Sequence, residues 1–229
     1  MSKPQSSDID KDQYPQSLQG HVPWLWNRPC GVAQGCLILA HGAGAPMDSP
    51  FLQQMAENLA GRGIAVLRFE FAYMALRRAG AGKRPPNPQA QLLEEWRQLY
   101  RQVRQTVTGP LLLGGKSMGG RMASLLADEV QADGLVCLGY PFYPRGRADK
   151  PRVAHLAQLR TPCLIVQGER DALGDRRTVA GYSLASSIQL HWLAGADHDL
   201  KPLRASGYSH EQALAQAADA IAGFLAGLK

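Results

Sequence analysis

Short apolar runs recur along this chain at the spacing of strand–helix units, and that recurrence restricts the fold most. CLILA (36–40), IAVLRFEF (64–71), GLVCLG (134–139), PCLIVQ (162–167) and SIQLHWL (187–193) are each too short for a buried helix. Most are apolar throughout, without the alternation of a strand that has one wet face. Continuous apolar strands imply a parallel sheet covered by helices on both faces. The segments between them read as helices. Phe51–Arg62 carries Phe51, Leu52, Met55 and Leu59 on one face, and Gln89–Thr106 does the same with Leu92, Leu93, Trp96, Leu99, Tyr100 and Val103. An alanine-rich helix is predicted over about Ser209–Leu228, and Val22–Trp26 reads as an antiparallel edge strand.

At 229 residues, with no internal repeat or linker, a single domain over 21–229 is expected, preceded by a flexible polar leader over 1–20. That leader has no apolar segment of the kind a secretory signal needs, and no later run is long enough to span a bilayer. The four cysteines form no CxxC pair, and Cys36, Cys137 and Cys163 lie in apolar runs, as expected of reduced thiols in a cytoplasmic protein. The net charge of +6 is spread over a helix (Arg97, Arg101, Arg104) and what reads as loops (Arg77, Arg78, Lys83, Arg84; Arg145, Arg147, Lys150, Arg152). No nucleic-acid-binding motif accompanies it, so neither nucleic acid nor membrane is an expected partner.

The stretch GGKSMGG (114–120) admits two chemistries. A phosphate-binding loop, G-x-x-x-x-G-K-[ST], needs a glycine at position 110, where this chain has Pro110, and needs loop where Leu111–Leu113 read as buried strand. The other pattern, G-x-S-x-G, needs a strand running into a tight turn and then a helix. Leu111–Leu113, Gly115 to Gly119 around Ser117, and a helix over Met118–Glu129 supply that order, and Lys116 reads as an incidental residue of the motif.

A serine hydroxyl becomes nucleophilic only beside a base. Asp171 follows the strand PCLIVQ and His198 follows SIQLHWL, so Ser117, Asp171 and His198 all fall at strand ends, in the order of a nucleophile–acid–base triad. Glu169 is a competing carboxylate. His21, His155, His191 and His210 lack a matching partner, and Asp197 and Asp199 flank the base. Two backbone N–H donors are expected for the oxyanion, from Met118 and from Ala43, with Gly44 the alternative; His41 braces that loop. Phe142 and Tyr143 are candidates for an acyl pocket or for the edge of the core, and the basic loop at 77–84 for an overhang above the site. No Cys/His cluster has ligand spacing, so no cofactor or metal is expected.

LAHGAGAPMDSPF, GGKSMGGRMAS and LRTPCLIVQGERD resemble the α/β-hydrolases over about residues 22–229, and more narrowly their KANL3/Tex30-like branch, related in outline to dienelactone hydrolases but with serine in place of cysteine. The resemblance implies an α/β-hydrolase fold with a mostly parallel sheet, helices on both faces and little or no lid. The expectation is a serine hydrolase acting on a small acyl substrate such as a carboxylic ester. The contrasting expectation is a non-catalytic hydrolase-fold module that binds other proteins, for which an intact triad is superfluous. Substrate identity and oligomeric state carry no signature in the sequence.

Overall fold

The computed structural model describes residues 23–228, so the predicted leader, His21 and Val22 lie outside it. Seven strands form one sheet in the order β1-β3-β2-β4-β5-β6-β7. They are β1 (Trp24–Asn27), β2 (Gly35–Ala40), β3 (Ile64–Phe69), β4 (Leu111–Lys116), β5 (Gly134–Leu138), β6 (Cys163–Gly168) and β7 (Ile188–Leu193). Among the strands of the described residues only β1 runs antiparallel, pairing Trp24 with Phe69 and Asn27 with Val66, as expected of the edge strand.

Alternate residues of each buried strand feed two cores. Ile38, Leu113, Leu135, Cys137 and Ile165 pack on one face, with Trp96, Leu99, Met122 and Leu126 of α3 (Gln89–Arg104) and α4 (Met118–Leu126). Leu37, Leu39, Leu112, Val136 and Val166 pack on the other, with Leu52, Leu59, Leu214 and Ile221 of α1 (Pro50–Ala60) and α6 (His210–Ala226). Burial on both faces explains why these strands read as unbroken apolar runs. Pro50 starts α1, where its missing N–H costs nothing. At the start of α6, Ser209 and Gln212 exchange side-chain and backbone hydrogen bonds in a capping box.

Two segments depart from expectation. The strand predicted to reach Phe71 ends at Phe69, and Ala72–Arg78 form a helix (α2), so Arg77 and Arg78 end a helix instead of lying in a loop. The first N–H groups of α2 are capped from a distance: Glu95 accepts from Ala72 at 2.9 Å and Asn87 from Tyr73 at 3.0 Å. A short helix, α5 (Arg176–Val179), and single turns at Ala154–Gln158 and Arg204–Ser206 also lacked a sequence signal. None of these builds a lid. No helix among the described residues is long and apolar enough to cross a membrane.

The chain moves from β2 outward to β3 and then returns to place β4 on the other side of β2. The carboxyl ends of β2 and β4 thus flank a switch point, the place where open α/β sheets leave a crevice.

Candidate active site

Ser117 stands at the junction of β4 and α4 with φ 52° and ψ −114°, a conformation that costs a non-glycine residue about 1–3 kcal/mol. Its backbone N–H donates to Leu138 O at 2.9 Å, fixing the turn to β5. The turn is possible because its neighbours lack side chains. A Cβ on Gly115 would stand 2.5 Å from Gly119 C and Gly120 N, and one on Gly119 would stand 2.6 Å from His41 O.

The hydroxyl Oγ of Ser117 lies 2.9 Å from His198 Nε2, and His198 Nδ1 lies 2.8 Å from Asp171 Oδ2. A carboxylate can only accept, so the imidazole proton sits on Nδ1 and Nε2 is left to accept from Ser117. Asp171 is fully buried and also accepts from Leu173 N–H at 2.7 Å and Gln167 Nε2 at 2.8 Å. Gln167 is itself locked, because its Oε1 accepts from Tyr140 N–H and its Nε2 also reaches Tyr140 O and Gly174 O. Glu169, the competing carboxylate, instead holds Arg176 and Gly195 N–H.

Met118 is the first residue of α4, so its N–H has no partner within the helix and points from the helix's positive end. Across the switch point, Gly42 packs against Ser117. His41 is fully buried, and that burial holds its pKa below the ordinary histidine range. Its Nε2 accepts from Phe71 N–H at 3.1 Å, which leaves Nδ1–H to donate to Gly42 O at 2.6 Å. Tyr73 OH donates to Ala43 O at 3.1 Å. His41 and Tyr73 therefore pin the two carbonyls whose peptide partners are the N–H groups of Ala43 and Gly44, and each N–H points away from its pinned carbonyl.

A second serine–histidine pair exists: Ser124 Oγ lies 2.8 Å from His155 Nε2. Ser124 is buried within α4 and donates to Arg121 O, and among the described residues no carboxylate meets His155. Burial lowers the His155 pKa to about 4. This pair lacks the strand-end turn, the third member and an N–H cradle.

A cleft of about 540 Å³ opens beside Ser117, walled by Gly42, Ala43, Gly44, Phe51 and Leu52 on one side and by His198, Asp199 and His210 on the other. Phe142 and Tyr143 are not among its walls. Phe142 is fully buried between Tyr140 and Tyr182, and the Tyr143 hydroxyl donates to Asp175 at 2.9 Å, so both belong to the core edge. Lys116, read from sequence as incidental, does line the cleft; burial pushes its pKa down, and Asp199 at 3.2 Å is its counter-ion. Arg78 is held by Asp48 and Glu70, so it does not overhang the site as a free cation. Among the described residues no group of three or more His, Cys, Asp and Glu is placed to hold a metal ion.

With strand order, elbow and hydrogen-bonded chain in place, comparison with known proteins is informative. Residues 33–226 match the family described as Alpha/beta hydrolase domain, and the chain belongs to that family. Among solved structures, it is similar to an α/β serine hydrolase homologue from Coxiella burnetii, at 20% identity and a TM-score of 0.67 over 87% of this chain and 89% of that one. It is also similar to an α/β serine hydrolase without a lid from Xanthomonas campestris, at 20% identity and a TM-score of 0.65 over 90% and 87%. An esterase domain from Rhodothermus marinus matches at 16% identity and a TM-score of 0.63 over 88% and 91%. At these identities the likeness is one of fold, including the bare, lidless top of the sheet.

Proposed function

We propose that this protein is a serine hydrolase, carboxylesterase-like, that cleaves a carboxylic ester or related acyl compound. The observation that carries the reading is the unbroken chain from Ser117 Oγ through His198 to Asp171, at 2.9 and 2.8 Å. Ser117 Oγ attacks the acyl carbon while His198 Nε2 takes its proton, and Asp171 steadies the resulting imidazolium. The carbonyl oxygen, now an oxyanion, accepts from the N–H groups of Met118 and Ala43. Collapse of the adduct breaks the bond to the alcohol oxygen, which takes the proton from His198, and leaves Ser117 acylated. A water molecule then gives its proton to His198 and its oxygen to the acyl carbon, releasing the acid and restoring Ser117.

The motifs around His41, Ser117 and Asp171 support placement in the KANL3/Tex30-like branch. A reducing, cytoplasmic setting is consistent with four free cysteines, three of them buried. A fluorophosphonate probe tests the central claim. It is expected to label the wild type and Ser124→Ala but not Ser117→Ala. Folded wild-type protein that resists the probe at high concentration would overturn the activated-serine reading.

A further inference from the structure

The cleft carries an uneven set of charges. Lys116 and Lys201 line it together with one carboxylate, that of Asp199. Of the arginines that end α2, Arg78 meets two carboxylates, while Arg77 meets Ala43 O, Arg84 O and the ring of Tyr73 and does not line the cleft. Lys201 makes no ion pair among the described residues.

Lys116 is the unusual member. Its side chain is only 10% exposed, and its ammonium lies 5.5 Å from the centroid of the Phe51 ring and 3.2 Å from Asp199. An ammonium has three N–H donors, and Asp199 is the one acceptor that Lys116 meets among the described residues. Because Lys116 lines the cleft, its remaining donors are open to a further acceptor, water or an anionic ligand. Asp199, by contrast, is 71% exposed, and its other hydrogen bonds among the described residues are made by its backbone, whose N–H donates to Asp197 Oδ1 at 3.0 Å and whose carbonyl accepts from His210 Nε2 at 2.8 Å. Water can replace Lys116 as its partner at little cost. The cation is enclosed beside Ser117, while the carboxylate of its counter-ion is open to solvent. Ala45, Pro50, Phe51 and Leu52 line the same cleft as Ser117 and Lys116 and give it an apolar wall that a short hydrocarbon spacer can follow.

From this placement we infer that the substrate is an ester bearing a compact anionic group, a carboxylate or phosphate, a short hydrocarbon spacer from the scissile carbonyl. Lys116 is the counter-ion of that group, and Lys201 attracts it at the rim. The inference rests on the serine-hydrolase reading for turnover but not for binding, and the two are tested separately.

Three methyl esters with the same spacer distinguish the cases: monomethyl glutarate, methyl 4-phosphonobutanoate and the neutral methyl pentanoate. At low salt at least one anionic ester is expected to be preferred over the neutral one by tenfold or more in kcat/KM, and the preference shrinks with added KCl. The better of the two identifies the anion. Lys116→Met is expected to cut that preference at least tenfold, and Asp199→Asn, which removes the competing carboxylate, to raise it. A wild type that favours methyl pentanoate, or a Lys116→Met variant that slows all three esters by one common factor, overturns the inference and makes Lys116 a strut of the elbow. Calorimetric titration of Ser117→Ala with both anionic esters reads binding without turnover. Heat of binding to either that is absent in the Ser117→Ala, Lys116→Met double variant supports the inference even if the hydrolase reading fails; binding of neither, or equal binding with and without Lys116, refutes it. Should Lys116→Met not fold, Asp199→Asn carries the same test from the exposed side of the pair, and an unchanged preference in it counts against the inference.

Discussion

Replacing Asp171 by asparagine separates orientation of the base from its mere presence. In the native structure Oδ1 accepts from Leu173 N–H, and Oδ2 accepts from both Gln167 and His198. The asparagine amide NH2 must take one of these two positions. At the Oδ1 position it faces a backbone N–H that cannot move. At the Oδ2 position it faces Gln167, whose NH2 retains Tyr140 O and Gly174 O as acceptors, and His198, which can switch tautomer and accept at Nδ1. The second arrangement therefore wins. It loses one hydrogen bond, worth about 1–2 kcal/mol, which for a domain of this size lowers Tm by about 2–8 °C. The chemical penalty is far larger, because His198 then carries its proton on Nε2 and cannot accept from Ser117. The same exchange in a serine-protease triad lowers kcat about 10⁴-fold, roughly 5.4 kcal/mol of barrier. Turnover of 4-nitrophenyl butyrate and the rate of fluorophosphonate labelling measure it, with a thermal melt as the check on folding. A folded Asp171→Asn variant that keeps more than a tenth of wild-type kcat refutes the proposed role of Asp171.

Gly115→Ala places a Cβ 2.5 Å from the backbone of Gly119 and Gly120, with no flexible side chain to yield, so a loss of at least about 3 kcal/mol is expected, read as a lowered denaturation midpoint. His155 contributes a pH dependence of stability: it titrates near 6.5 when unfolded and at about 4 when folded. The unfolded chain binds the extra proton between those values, so this contribution is intact above about pH 6.5 and is lost as pH falls toward 4. His155→Gln should flatten the urea midpoint across that window, and an unchanged slope would show that His155 is not responsible.

How far the sequence discloses this site depends on the range of the contacts involved. That Ser117, Asp171 and His198 would meet was legible because a parallel sheet places the residues just past its strands at the same edge, so strand ends suffice to bring three distant residues together. Gln167 was hidden because a buried polar residue at the end of an apolar strand does not reveal which loop it will hold. The helix α2 was hidden because its caps come from Asn87 and Glu95, more than a turn away in sequence. The surroundings of Lys116 were hidden because the motif constrains only its neighbours, and Asp199 and Phe51 arrive from other elements. Phe142 and Tyr143 were ambiguous for the reverse reason: aromatic residues after a strand fit a pocket wall and a core edge equally well by pattern.

The order of strands has a consequence for how the site comes apart. Ser117 ends β4, which is paired on both sides by β2 and β5, while His198 hangs from β7, which has β6 as its one neighbour within the sheet of described residues. A strand with a single partner opens more readily than one held by two. Ser117 and Met118 thus stand beside a strand held from both sides, and His198 at one margin of the sheet. If the proposed triad acts, warming is expected to loosen His198 before Ser117, so that activity falls reversibly below the temperature of global unfolding.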